Sequence, residues 1–330
     1  MKITMLGFTG AGKTCYMLGM YSFMSIGLRG FTLSAKDADE DIELSDKWDN
    51  LVFGQGDDRW PPATNRGENT TYAFDFNYGF RQIMSFEWLD YRGGALRDKS
   101  TEEDVTALVK HTQESSCLFL CISGEHLQEA IVDTQGQVNS SVKHKIAKEL
   151  RIDRMNKLIK EIQQKIKPND QKPYPIVIVV TKYDLCMDRE KGAIVEDIKQ
   201  LFEPLFQPNS GWLVTICPVS LGKELAENPE NGAIKPINVH IPVVFAIYAK
   251  LREIALQTMK QQSSVKDALT ADQNSFWTRL LNSEKIGTGI TKVGQLQEEV
   301  QKLKSNMALL AQELQKVPLF LSGKEVEADV

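Results

Sequence analysis

Gly7-Phe8-Thr9-Gly10-Ala11-Gly12-Lys13-Thr14 spells G-x-x-x-x-G-K-T directly after the apolar run Ile3-Thr4-Met5-Leu6. A phosphate needs those residue types in that order. Gly7, Gly10 and Gly12 let the backbone turn tightly and approach an anion with no Cβ in the way. The successive N–H groups, Ala11 and Cys15 included, form a concave nest at a helix N-terminus. Lys13 then reaches the terminal phosphates and the Thr14 hydroxyl ligates Mg²⁺.

Two further constellations lie downstream. Asp90-Tyr91-Arg92-Gly93 reads D-x-x-G at the end of a strand, where a carboxylate can hold Mg²⁺ and the Gly93 N–H can meet a terminal phosphate. Thr181-Lys182-Tyr183-Asp184 follows another strand, at the carboxyl end where ligands bind in open α/β sheets. A carboxylate there accepts from guanine N1–H and the 2-amino group. Adenine offers no such pair, so a buried Asp184 would penalise it. The Lys182 stem can lie along a base, and Ser220-Leu221 follows the last strand, where loop N–H groups can meet guanine O6.

Placing those groups takes alternating strands and helices. The sequence predicts strands near 2–6, 31–34, 71–76, 82–89, 117–122, 175–180 and 212–219, and helices near 13–25, 38–53, 146–166, 193–206 and 242–261. Ser100 and Glu103 form a capping box that opens one more helix. The unbroken apolar runs Cys117–Ile122 and Ile176–Val180 mark strands buried on both faces. The expected fold is α/β, a doubly wound, mostly parallel sheet with one antiparallel strand from a hairpin, plus a C-terminal helical extension.

The boundaries expected are a nucleotide domain over 1–262, a linker over 263–292, an amphipathic helix over 293–317 and a tail over 318–330 that is acidic and disordered from Ser322. Val293, Leu296, Val300, Leu303, Met307, Leu310, Leu314 and Val317 step by threes and fours, the seam of a coiled coil or of a helix packed on its own domain.

At 330 residues, 42% apolar, 25% charged and net −5, the chain has the make-up of a globular protein and lacks the basic stripe of a nucleic-acid binder. The five cysteines have no C-x-x-C spacing and the four histidines are scattered, which points to buried free thiols rather than disulfides or a metal cluster. No signal peptide or membrane-length apolar run is present, so a cytoplasmic protein is expected.

The motif order, GFTGAGKT, a threonine-bearing loop, a hairpin, Asp90-Tyr91-Arg92-Gly93, Thr181-Lys182-Tyr183-Asp184 and Val219-Ser220-Leu221, resembles the Ras-like P-loop GTPases of the translation-factor-related class. The likeness is above all to their large bacterial members and spans about residues 1–261. It implies GTP or GDP with Mg²⁺ as ligands. Gly12, Lys13 and Thr14 would serve phosphate and metal, Asp90 and Gly93 the metal and γ-phosphate, and Thr181, Lys182, Asp184, Ser220 and Leu221 the base. The Mg²⁺-ligating threonine of the first switch is taken as Thr64, in a Pro-rich loop, with Thr70 second and Thr71 third.

Two positions depart from the family pattern, the second of them bearing on hydrolysis. Thr181 stands where asparagine is usual, and Gly94 stands where Ras-like enzymes orient the attacking water with glutamine. Arg59, Arg66 and Arg92 could supply an arginine finger, although a solvated surface arginine is the plainer reading of each. The function expected is a Mg²⁺-dependent, GTP-hydrolysing switch with an unknown protein effector and self-association through the C-terminal helix. The alternatives are a guanine-nucleotide scaffold with little hydrolysis and, less favoured, an ATP-dependent P-loop enzyme.

Overall fold

The computed structural model describes residues 1–62, 70–91, 102–222, 225, 234–273 and 283–328. The elements, in chain order, are β1 (Lys2–Gly7), α1 (Lys13–Ser25), β2 (Phe31–Ala35), α2 (Ala38–Phe53), β3 (Thr70–Tyr78), β4 (Arg81–Asp90), α3 (Glu102–Glu114) and β5 (Cys117–Ser123). Then come α4 (Ser140–Glu149), α5 (Ile152–Ile166), β6 (Tyr174–Thr181), α6 (Lys191–Leu201), β7 (Trp212–Pro218), α7 (Ile241–Gln273), α8 (Ser283–Leu314), β8 (Leu319–Leu321) and β9 (Lys324–Val326).

Nine strands form one sheet in the order β2-β3-β4-β1-β5-β6-β7-β8-β9. Its centre, β4-β1-β5-β6-β7, is parallel throughout. Two strands run against the rest, β3 and β8, where one was expected. The second arises because the C-terminal tail is ordered. Leu319 and Phe320 are buried apolar residues that pair with Thr215 and Val214 at the free edge of β7. Ser322 fastens the turn, accepting from the Gly211 N–H at 2.9 Å and donating to Asp170 at 2.5 Å.

Alternation along the central strands divides the core. Leu118, Leu120 and Ile122 of β5 and Ile176, Ile178 and Val180 of β6 face Leu108, Met155, Ile159 and Ile198 of α3, α5 and α6. On β5's opposite face, Phe119 meets Trp88 edge-on at 5.3 Å, and Trp88 in turn meets Tyr16 of α1 at 6.2 Å. The helix expected near 146–166 is two helices, because Arg151 takes a left-handed φ of 53° that ends one run and starts the next. Ser100, half of the capping box, lies outside the described residues.

Parallel register brings the motifs to one edge. Asp90 pairs across from Met5, Gly7 from Cys121, Thr181 from Ser123 and Pro218 from Val180. The loops after β1, β4, β6 and β7 therefore leave the sheet at the same carboxyl end, where a crevice opens beside the central strand.

The chain divides into two compact units, residues 1–246 with 316–327, and residues 247–315 with 328–330. The division falls inside α7, earlier than the boundary expected at 262, and most of the tail belongs to the first unit. In α8 the last part of the apolar seam, Met307, Leu310 and Leu314, is buried within the single chain, whereas Leu296, Val300 and Leu303 are half-buried. No helix among the described residues is long and apolar enough to cross a membrane. All five cysteines are free thiols, and four of them are buried.

Candidate nucleotide site

The β1–α1 loop has the conformation its glycines predict. Gly10 and Gly12 have φ of 87° and 74°, a region that costs a side-chain-bearing residue strain. Gly7 is needed for a different reason, since a Cβ there would lie 2.8 Å from the Cys121 carbonyl oxygen. The Ala11 N–H closes the turn on the Phe8 carbonyl at 3.1 Å, and the Tyr16 N–H bonds the Gly12 carbonyl at 2.9 Å as α1 begins. Lys13 is buried, and its ammonium reaches back to the Gly7 and Phe8 carbonyls at 2.9 and 3.3 Å. Its charge is thereby held at the mouth of the nest.

Asp90 and Thr14 meet. The Thr14 hydroxyl donates to Asp90 Oδ2 at 3.2 Å, while Asp90 Oδ1 is buried with no hydrogen-bond partner. Burial pushes the Asp90 carboxyl above its ordinary pKa, against the pull of Lys13, the Thr14 hydroxyl and Lys47. An orphaned carboxylate oxygen beside a hydroxyl, near a phosphate nest, is a donor set that suits Mg²⁺, a hard cation that takes few protein oxygens. Thr70 opens β3 opposite Asp90 and lines the cavity beside it. Thr64, Arg66, Arg92, Gly93 and Gly94 lie outside the described residues.

The base motif is fastened to the loop. Thr181 donates to the Ala11 carbonyl at 2.7 Å, with the Ile122 carbonyl also in reach at 3.1 Å. Lys182 takes a left-handed φ of 48° and pairs with Glu125 at 2.7 Å. Asp184 accepts a short hydrogen bond from the Ser220 hydroxyl, which also accepts from the Gly222 N–H at 2.8 Å. One cleft of about 460 Å³ is lined by Gly12, Lys13, Thr14 and Cys15 together with Asp184, Ser220 and Leu221. That volume is in the range of small-ligand sites.

Three contacts escaped the sequence. Cys121 donates its thiol to the Ala11 carbonyl at 3.2 Å, a second tie on the loop. Leu221 packs so tightly on α1 that a Cβ at Gly19 would fall 2.3 Å from it. Arg59 is neither a solvated arginine nor an open finger. It is 3% exposed, donates to the Leu51 and Leu225 carbonyls at 3.1 and 2.7 Å, and stacks 4.9 Å over Trp60, which lines the cleft. No local pattern signals any of these, because each depends on partners distant in sequence.

The fold and site define a class, an α/β protein with a strand–glycine-loop–helix phosphate nest at the carboxyl edge of a mostly parallel sheet. No family model matches the chain, and no curated protein does. Among solved structures it is similar to a GTP-binding protein from the hyperthermophilic archaeon Sulfolobus solfataricus in complex with GDP, at 14% identity and a TM-score of 0.29, covering 66% of this chain and 46% of that one. It is also similar to the signal recognition particle receptor SRb-GTP/SRX complex from Chaetomium thermophilum, at 11% identity and a TM-score of 0.29, covering 61% of this chain and 78% of that one. The chain thus spans under half the length of the archaeal protein.

Proposed function

We propose that this protein binds GTP and GDP with Mg²⁺ and works as a nucleotide-dependent switch that hydrolyses GTP. The reading is carried by one observation: Gly10, Gly12, Lys13 and Thr14 of the glycine loop line the same cleft as the Asp184–Ser220 pair. Asp184 can accept both guanine edge donors, while Ser220 holds the carboxylate in place. Adenine would leave that carboxylate unpaired. When bound, Mg²⁺ would be held by Thr14 and Asp90, with Thr64 as the first-switch ligand, and would offset charge on the terminal phosphates. Lys13 would neutralise charge between the β- and γ-phosphates, and the Gly93 N–H would meet the γ-phosphate.

Hydrolysis is the part that Gly94 qualifies. Without a side chain there, a partner or another group of this chain must orient the attacking water, so intrinsic turnover is slow and rises with an activating protein. Self-association through α8 has Leu296, Val300 and Leu303 to draw on. Identifying the nucleotide that copurifies with the protein, then following single-turnover phosphate release with and without cell extract, tests the reading. Guanine nucleotide with slow release that extract accelerates supports a switch. Guanine nucleotide with no release under either condition leaves a scaffold instead.

A further inference from the structure

A half-exposed lysine of α2 stands between two buried leucines. Leu44, Lys47 and Leu51 follow one another by three and four residues on one helix face, and both leucines are wholly buried. The helix is firmly mounted. Asp37 caps it through the Asp39 N–H at 2.8 Å, Glu40 accepts from the Ala73 N–H of β3 at 3.1 Å, and Trp48 meets Phe23 of α1 edge-on at 5.7 Å. Lys47 and Asn50 line a cavity of about 470 Å³ together with Thr14, Thr70 and Asp90. Thr14, Pro61 and Pro62 also line the nucleotide cleft, so the two cavities share a wall at the metal and terminal-phosphate end.

We propose that Lys47 is the cation that meets the terminal phosphate of a bound nucleoside triphosphate, so that α2 distinguishes GTP from GDP. The inference rests on the guanine-nucleotide reading above. Lys47 now pairs with Glu43 one turn earlier and donates to the Tyr72 hydroxyl at 3.2 Å. An exposed helical ion pair of that kind is weak, so a doubly charged phosphate would draw the ammonium away from it. Tyr72, from β3, lines the same cavity. Partial burial works against the ammonium, but Glu43 and Tyr72 outweigh it and hold its pKa above the ordinary lysine value. The group therefore arrives charged.

The test measures Mg²⁺-dependent binding of GDP and of a non-hydrolysable GTP analogue to the full chain, its Lys47→Met variant and its Lys47→Arg variant. The lysine side chain is 45% exposed, and Met keeps the stem, so GDP binding itself reports that the fold is intact. Lys47→Met should weaken the analogue about tenfold or more while leaving GDP within about twofold, and Lys47→Arg should restore most of the loss. An unchanged ratio of the two affinities overturns the proposal, as does an equal loss for both, which would mark Lys47 as structural. If the parent chain binds neither guanine nucleotide, the base reading fails and this inference fails with it. If the parent binds both and only the ratio test fails, the base reading stands alone.

Discussion

The Thr181 hydroxyl donates to the Ala11 carbonyl at 2.7 Å, joining the end of β6 to the middle of the phosphate loop. A base motif and a phosphate motif separated by 170 residues thus move as one piece. Thr181 is 4% exposed, so its removal leaves the Ala11 carbonyl with the weaker Cys121 thiol as its side-chain donor. Thr181→Val keeps the shape and removes the donor. We expect it to cost about 1–3 kcal/mol in urea unfolding and to weaken nucleotide binding. Parent-like values for both would show that the tie is idle.

Asp184→Asn should change which purine edge the site accepts. The amide presents a donor where guanine presents its own, so GTP affinity should fall while xanthosine triphosphate affinity rises. Competitive binding of the two nucleotides reads this directly. Unchanged GTP affinity would remove Asp184 from the base site.

Asp90 is predicted to be unfavourable for the empty protein and necessary for the metal. Because burial raises its pKa on folding, the stability it contributes is present when it is protonated and is lost as pH climbs past the ordinary carboxylate range toward its raised folded value. At neutral pH, Asp90→Asn should therefore melt no lower than the parent when nucleotide-free, yet lose the Mg²⁺ dependence of nucleotide affinity. A lower melting temperature in the empty variant would contradict the direction of the burial effect.

The sequence showed the glycine loop, Asp90 and the base motif because their signals are local, and strand ends place them together once the sheet is parallel. Element limits such as Lys13–Ser25 and Ala38–Phe53 followed from turn residues on either side. What stayed hidden depends on distant partners. The buried Arg59 looks like any polar loop residue until its carbonyl acceptors at Leu51 and Leu225 are seen. The tail from Ser322 is charged enough to read as disordered, yet Lys324–Val326 pairs with Leu319–Leu321 at the sheet edge. The left-handed turn at Arg151 leaves the apolar spacing around it unbroken, so one helix was expected where there are two.

The C-terminal hairpin should be structural. Phe320 is 3% exposed and meets Phe206 edge-on at 5.3 Å. Phe320→Ala should cost about 3–5 kcal/mol, measured by denaturant unfolding. A loss below about 1 kcal/mol would mean that the hairpin leaves the sheet edge in solution.

Leu310 separates the two meanings of the α8 seam. It is fully buried within one chain, so Leu310→Ala should cost about 2–5 kcal/mol without changing the mass seen by light scattering. A fall in mass with little loss of stability would instead place Leu310 in a contact between copies.

The central claim is that the Gly7–Thr14 nest and the Asp184–Ser220 pair make a single guanine-nucleotide site. The most direct measurement is the affinity of the purified protein for GDP and for ADP, each in Mg²⁺, by competition against one fluorescent nucleotide. The account predicts GDP tighter by roughly two orders of magnitude or more. Equal affinities, or tighter binding of ADP, would contradict it.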